Sequence, residues 1–145
     1  MTQVIVHPKY SNFYNDIALL KLRAPLIFGD NIKAIQLGTT ELASGTRVQI
    51  SGWGLIRNNG PLSGTLKFNT LSALTNAECS RRIGGITNGI LCLSHSSGNG
   101  ACQGDSGGPA VYNNRLVGVT NFVVGNCGNN APDGYAKVSF YQQFI

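Results

Sequence analysis

Apolar residues along the chain fall into short runs that are bounded by glycine, proline and asparagine. Several runs alternate apolar and polar positions, which is the pattern of a strand with one buried face. Seven runs predict β-strands, at 16–22 (expected to be largely buried), 47–51, 65–74, 90–93, 109–112, 116–124 and 134–138. Because turn signals recur at about ten-residue spacing, the pattern predicts an all-β barrel or sandwich.

Two segments depart from the strand pattern. Thr75 and Glu78 have the spacing of a capping box, which predicts a short helix that runs to about Ile83 and ends at Gly84. A second short helix is predicted to begin at residue 139, near the C-terminus.

Composition and charge narrow the function classes. Glycine accounts for 19 of 145 residues, which argues against a helical bundle because each glycine in a helix interior costs about 1 kcal/mol relative to alanine. The net charge of +5 is scattered along the chain, so we expect no nucleic-acid partner. No apolar run approaches the ~20 residues of a membrane-spanning helix, so we expect no membrane partner.

The four cysteines favour disulfides over a metal site. No pair has the spacing of a zinc or redox motif, and the two histidines are not spaced as ligands, so we expect no metal. An even number of cysteines predicts two disulfides and an oxidising compartment, although spacing alone leaves three connectivities open. Four buried free thiols are the alternative.

The segment 104–109, Gly-Asp-Ser-Gly-Gly-Pro, is the sharpest chemical feature of the sequence. A serine hydroxyl attacks a carbonyl only when a base accepts its proton and donors stabilise the oxyanion that forms. Glycines on both sides of Ser106 allow backbone N–H groups to point toward one position, and Gly104 and Ser106 are placed to supply two such donors. The segment therefore predicts a serine nucleophile rather than an ordinary glycine-rich turn.

Five segments together resemble the chymotrypsin/trypsin-like serine peptidase family, with features of its insect and crustacean chymotrypsin-like and collagenase-like members. In chain order the matching segments are 7–10 (HPKY), 15–19 (NDIAL), 51–54 (SGWG), 102–109 (CQGDSGGP) and 132–135 (PDGY). The resemblance covers the whole chain and implies a fold of two antiparallel β-barrels with the active site between them. It implies that residues 1–42 are a remnant of the first barrel with the inter-barrel linker. Residues 43–145 would form a nearly whole second barrel with the short C-terminal helix.

The resemblance also assigns roles to individual residues. Ser106 matches the nucleophile, Asp16 matches the triad aspartate, and Gly104 and Ser106 match the oxyanion-hole donors. Asp105 matches the carboxylate that pairs with a freed N-terminal amine in active family members. The disulfides implied by the family are Cys79–Cys92 and Cys102–Cys127.

Three further positions match the primary specificity pocket of the family. Gly100 matches its base, and Val123 and Asp133 match its wall. Val123 favours small or medium apolar side chains, whereas the charge of Asp133 favours lysine or arginine, and the sequence leaves both open. Asn121 stands where the family has a serine that hydrogen-bonds the triad aspartate.

The catalytic base of the family has no counterpart in the sequence. The family places its histidine upstream of the triad aspartate, and here His7 and His95 are both expected to be surface or turn histidines. We therefore expect an N-terminally truncated serine endopeptidase, secreted and monomeric in its full-length form, whose present chain is inactive for want of the histidine. Protein or peptide substrates and protein protease inhibitors are the expected partners, with no cofactor. A non-catalytic homologue that acts as a binding module is the alternative.

Overall fold

Nine β-strands and one α-helix make up the computed structural model, which describes residues 1–145. In chain order they are β1 (Gln3–Val6), β2 (Ala18–Lys21), β3 (Gln36–Leu37), β4 (Arg47–Gly52), β5 (Lys67–Leu74), α1 (Asn76–Ile83), β6 (Ile90–Ser94), β7 (Pro109–Tyr112), β8 (Arg115–Phe122) and β9 (Asp133–Lys137). The single helix is too short to cross a membrane. All seven strands expected from the apolar pattern are present, whereas β1 and β3 were not anticipated.

Strands β4 to β9 form one closed antiparallel barrel. The order is β8-β7-β4-β5-β6-β9, and pairing of β8 with β9 closes it. Val48 and Ile50 of β4 point into the barrel and Arg47 and Gln49 point out, which explains the alternation in the sequence. The predicted second barrel is therefore confirmed. Its core consists of Val48, Ile50, Leu71, Ala73, Leu91, Leu93, Ala101, Ala110, Val117 and Tyr135.

The turn between β7 and β8 is built from two asparagines. Asn113 and Asn114 both have positive φ, at 47° and 57°, as a type I′ hairpin turn requires. Asparagine tolerates this region better than most residues, so the pair sets the register of the hairpin. The predicted Asn-Asn turn is confirmed.

Helix α1 begins at the predicted capping box. The N–H of Glu78 donates to Thr75 Oγ1 at 3.2 Å, and the N–H of Thr75 donates to Glu78 Oε2 at 2.7 Å. The bond from the Thr75 N–H to the carboxylate, with those from the Ser44 and Thr75 hydroxyls, lowers the pKa of Glu78. The helix is fastened to the barrel by the disulfide between Cys79 and Cys92 of β6, and the second disulfide joins Cys102 to Cys127. Both disulfides are those that the family resemblance implied, and no cysteine is free.

Strands β1 and β2 lie outside the barrel as a two-stranded antiparallel sheet. The expectation of a largely buried strand at 16–22 is wrong, because β2 pairs only with β1 and most of its residues are exposed. Apolar side chains such as Val4, Val6 and Leu20 are 51%, 53% and 59% exposed. The apolar side chains of β2 therefore form a surface that is suited to burial, but residues 1–145 leave most of it uncovered.

The C-terminal segment forms turns, so the short helix predicted to begin at residue 139 is a wrong prediction. The N–H groups of Phe140, Tyr141 and Phe144 donate three residues back, and only Ile145 donates to a carbonyl four residues back. A helix of this length does not offset its nucleation cost, so packing decides the conformation of the segment.

A buried lysine connects the linker after β3 to the barrel. Lys137 of β9 is 6% exposed, and its Nζ lies 3.0 Å from Glu41 Oε2 and 3.3 Å from Asn76 Oδ1. The carboxylate and the amide compensate the loss of water around the ammonium group. The linker is thus held against β9 and the start of α1.

Replacing Thr75 by alanine is expected to lower the free energy of unfolding by about 1 kcal/mol, because the N–H of Glu78 loses its acceptor. Urea denaturation followed by circular dichroism measures the change. Thr87→Ala is the matched control, since Thr87 is exposed and its hydroxyl makes no hydrogen bond, and it should change stability by less than about 0.5 kcal/mol. Equal effects of the two substitutions would contradict the capping role.

Candidate active site

The loop that carries Ser106 leaves two backbone amides free. The N–H groups of Asp105 and Gly108 donate within the loop, to Cys102 O and Asp105 O, and that of Gly107 donates to Thr120 O at 2.8 Å. The N–H groups of Gly104 and Ser106 make no hydrogen bond, and both residues are exposed. Gly104 has a φ of +96°, which few other residues adopt. The loop therefore presents a hydroxyl and unpaired donors to a ligand.

Asp105 points the opposite way, into the protein. Its Oδ1 accepts from the N–H of Gly54 at 2.8 Å and its Oδ2 accepts from the N–H of Cys102 at 3.0 Å. A Cβ atom at Gly54 would lie 2.5 to 2.6 Å from the carboxylate, and one at Gly52 would overlap it. The Gly-Trp-Gly segment at 52–54 and the Gly-Asp-Ser-Gly segment at 104–107 therefore pack against each other through the Asp105 carboxylate. A cavity of about 340 Å³ opens beside it, lined partly by Asp105, Gly54 and Ala101.

Asp16 and Ser106 line one cavity. It has a volume of about 560 Å³, and most of its wall is apolar, from β2, β8 and the C-terminal residues. Asp16 is half-buried, and loss of hydration raises the pKa of its carboxyl group. The structure thus brings the two candidate catalytic residues to one groove.

Asn121 fixes the segment that precedes Asp16. Its Nδ2 donates to Phe13 O at 2.8 Å, so it contacts the backbone of this segment. Its Oδ1 is buried without a partner.

Asp133 lies in a closed pair with His95. Its Oδ2 accepts from the N–H of Ala101 at 2.7 Å and lies 3.4 Å from His95 Nε2, and the two side chains are 3% and 1% exposed. Gly100 has a φ of +100°, and a Cβ there would lie 2.5 Å from Asp133 Oδ2 and 2.6 Å from His95 Nε2. Gly100 and Asp133 are thus neighbours, whereas Val123 is half-buried and packs against the barrel core.

The expectation that His95 is a surface or turn histidine is wrong, because its ring is buried against a carboxylate. Asp133 raises the pKa of His95, with help from the Ser96 carbonyl, against the opposing effects of burial and of Arg82. No local pattern links His95 to Asp133, because only the fold brings this carboxylate next to the imidazole.

His7 packs against aromatic side chains near the C-terminus. Its ring centroid lies 5.5 Å from that of Tyr141 and 4.8 Å from that of Phe144, and its Nδ1 accepts from the N–H of Lys9 at 3.2 Å. No group of three or more histidine, cysteine or acidic side chains is arranged to hold a metal ion.

An apolar cleft beside the groove was not anticipated from the sequence. It has a volume of about 200 Å³, and the rings of Phe13 and Phe122 stand 5.4 Å apart at one side of it. Ile83, the last residue of α1, and Ile86, in the segment after it, line the other side. The cleft joins residues distant in sequence, so no local pattern could have shown it.

We expect Gly54→Ala to lower the free energy of unfolding by about 1–3 kcal/mol, because the new methyl group meets the Asp105 carboxylate. Gly64→Ala is the matched control, since open space surrounds that position, and it should be neutral or slightly stabilising. Chemical denaturation of both variants measures the difference. A Gly54→Ala protein as stable as Gly64→Ala would disprove the tight contact.

Stability should fall as the pH rises through the raised pKa of His95. His95 has a higher pKa when folded than its unfolded value of about 6.5, so its contribution is complete below that pH and is lost as the pH rises through the folded pKa. Urea denaturation across this range should show the decline in the wild type and a flat profile in His95→Gln. A decline of the same size in His95→Gln would assign it to another group.

Comparison with known proteins agrees with this geometry. The family model described as Trypsin matches residues 1–145. Serine protease SP24D of Anopheles gambiae is 45% identical over 145 residues, covering 100% of this chain and 53% of the relative. Brachyurin of Leptuca pugilator is 33% identical, covering 99% and 66%.

Among solved structures, neuropsin, a serine protease expressed in the limbic system of mouse brain, superposes with a TM-score of 0.92 at 34% identity. The alignment covers 99% of this chain and 68% of neuropsin. The chain spans about half to two thirds of the length of the curated relatives it matches. The match over every residue and the shared fold show that the chain belongs to the trypsin-like serine protease family.

Proposed function

We propose that this chain carries the nucleophile, the oxyanion donors and the orienting carboxylate of a serine-type endopeptidase. The observation that carries the proposal is the pair of unpaired N–H groups, of Gly104 and Ser106, beside an exposed Ser106 hydroxyl. Such donors stabilise the negative charge that develops on a carbonyl oxygen under attack. Asp105 supports the arrangement, because its inward carboxylate holds the loop against Gly54.

The reaction follows from these roles. Ser106 Oγ bonds to the scissile carbonyl carbon as a base accepts its proton, and the oxyanion forms within reach of the two N–H groups. Collapse breaks the peptide bond and passes the proton to the leaving amine, which leaves an acyl group on Ser106. Water then adds to this ester, and its hydrolysis releases the acid and restores the serine hydroxyl.

The base is neither histidine of this chain. His95 is enclosed with Asp133, and His7 packs between Tyr141 and Phe144. We propose that an imidazole from polypeptide outside these 145 residues enters the groove shared by Asp16 and Ser106, where Asp16 orients it. The groove, about 560 Å³ in volume, has room for such a ring. Residues 1–42 are then the remnant of the first barrel and linker, and 43–145 the second barrel.

Protein and peptide substrates, and protein inhibitors of proteases, are the partners proposed for the full-length secreted protein. The trypsin and brachyurin names of the relatives support a proteolytic role. Gly100, Val123 and Asp133 form the candidate specificity pocket.

Imidazole supplied in solution tests the catalytic proposal on the chain itself. A fluorophosphonate probe should label the chain at background without added base, since no side chain accepts the Ser106 proton. Imidazole should raise the labelling rate by about tenfold or more, because positioned general bases contribute 10²- to 10⁴-fold and a free base recovers part of that. Gel fluorescence against time measures both rates.

Three variants make the outcome specific. Ser106→Ala should abolish labelling, and Ser97→Ala, at an exposed serine of a nearby loop, should leave it unchanged. Asp16→Asn should reduce the gain from imidazole, because the bound ring loses its orienting carboxylate. Labelling that persists in Ser106→Ala would refute the proposal, and a folded chain that imidazole does not activate would support the non-catalytic binding module.

A further inference from the structure

We propose that His95 is a positioning residue for substrate selection, which neutralises Asp133 in the wall of the candidate specificity pocket so that the pocket selects uncharged side chains over lysine and arginine. This inference rests on the proposed function, since it assigns a preference to the same pocket. It settles a conflict within the pocket, where Val123 favours apolar side chains and Asp133 favours basic ones.

The contact is direct and enclosed. His95 Nε2 lies 3.4 Å from the same carboxylate oxygen, Asp133 Oδ2, that accepts from the N–H of Ala101. Both side chains are almost completely buried, and Gly100 covers the pair so closely that any Cβ would strike both partners. The close packing of His95 and Asp133 therefore requires glycine at position 100, the base of the candidate pocket.

Charge explains why the pairing changes selection. A buried carboxylate without a counter-charge attracts a cationic side chain strongly, because little solvent screens the interaction. An imidazolium beside the carboxylate makes the pair neutral overall, and an incoming ammonium or guanidinium group then meets an attractive and a repulsive charge together. The loss of hydration around the buried cation is then no longer compensated by an attractive charge. An apolar side chain has no such hydration to lose.

The charge of the pair depends on the protonation of His95. Asp133 from β9 and the Ser96 carbonyl favour the charged imidazole, and Arg82 from α1 opposes it. Tyr135, also on β9, is buried, and Asp133 and Asp105 help to raise the pKa of its hydroxyl, so it stays neutral. When His95 loses its proton, Asp133 alone remains charged, so the pocket should become more attractive to cations.

Benzamidine, a small amidinium cation, tests this inference by calorimetric titration of the chain at about pH 6 and about pH 8.5, on either side of ordinary histidine titration. Wild type should bind weakly at the lower pH and at least about tenfold more tightly at the higher pH. His95→Gln keeps a hydrogen-bond donor without the charge, so it should bind as tightly at the lower pH as at the higher. Asp133→Asn should bind weakly at both.

A histidine titration by NMR shows that the pair is intact. The ring signals of His95, distinguished from those of His7 by a His7→Gln variant, should titrate at a higher pH in wild type than in Asp133→Asn. If His95→Gln does not fold, the comparison of wild type with Asp133→Asn still decides, because only wild type should change its benzamidine affinity with pH.

Two results would overturn the inference. One is equal benzamidine affinity of wild type and His95→Gln at the lower pH, and the other is no pH-dependent binding in folded wild type. Benzamidine binding does not use the Ser106 hydroxyl, and fluorophosphonate labelling does not need Asp133. Failure here with imidazole-dependent labelling intact would therefore reject the pocket assignment alone, and loss of labelling alone would reject the catalytic proposal.

Discussion

The inward carboxylate of Asp105 is the constraint on which the candidate site depends. It accepts from the N–H groups of Gly54 and Cys102, and it leaves no room for a side chain at Gly52 or Gly54. The neighbouring Ser106 is exposed, so these two adjacent side chains lie on opposite sides of the loop. Glycines at the end of β4 and just after it thus make room for a carboxylate more than fifty residues later, next to the candidate nucleophile Ser106. The Cys102–Cys127 disulfide anchors the same loop from its other side.

The elements that could be predicted from the sequence are those that local rules decide. The barrel strands follow from alternation because each has one face toward a core, and α1 follows from the capping box that begins it. The C-terminal helix failed because a few residues cannot nucleate one, and the burial of β2 failed because its apolar face has no partner among residues 1–145. Burial of a strand face depends on whether another surface packs against it. Alternation of apolar and polar residues shows only that the face is suited to such packing.

The site was predictable to the extent that its residues sit in contiguous segments. Ser106, Asp105 and the donor at Gly104 lie within three residues, so their relation is fixed by the loop. The pairing of His95 with Asp133 joins the residue after β6 to the first residue of β9, two strands that become neighbours only in the folded barrel. Neither of the two sequence segments contains a local pattern that indicates such a long-range pair. The family resemblance placed Asp133 in the pocket wall but gave no reason to connect it to a histidine.

The inward carboxylates of Asp105 and Asp133 are compensated by different physics. Asp105 is held by backbone N–H dipoles, which do not titrate, whereas Asp133 faces an imidazole that does. Loss of the imidazole proton therefore changes the charge beside Asp133, in the wall of the candidate pocket, while the hydrogen bonds of Asp105 stay as they are. Under the proposed function, selection of the substrate side chain is thus separable from the positioning of Ser106. Under the proposed function, a substitution at His95 alters which side chain is accepted and leaves the free N–H groups of Gly104 and Ser106 in place.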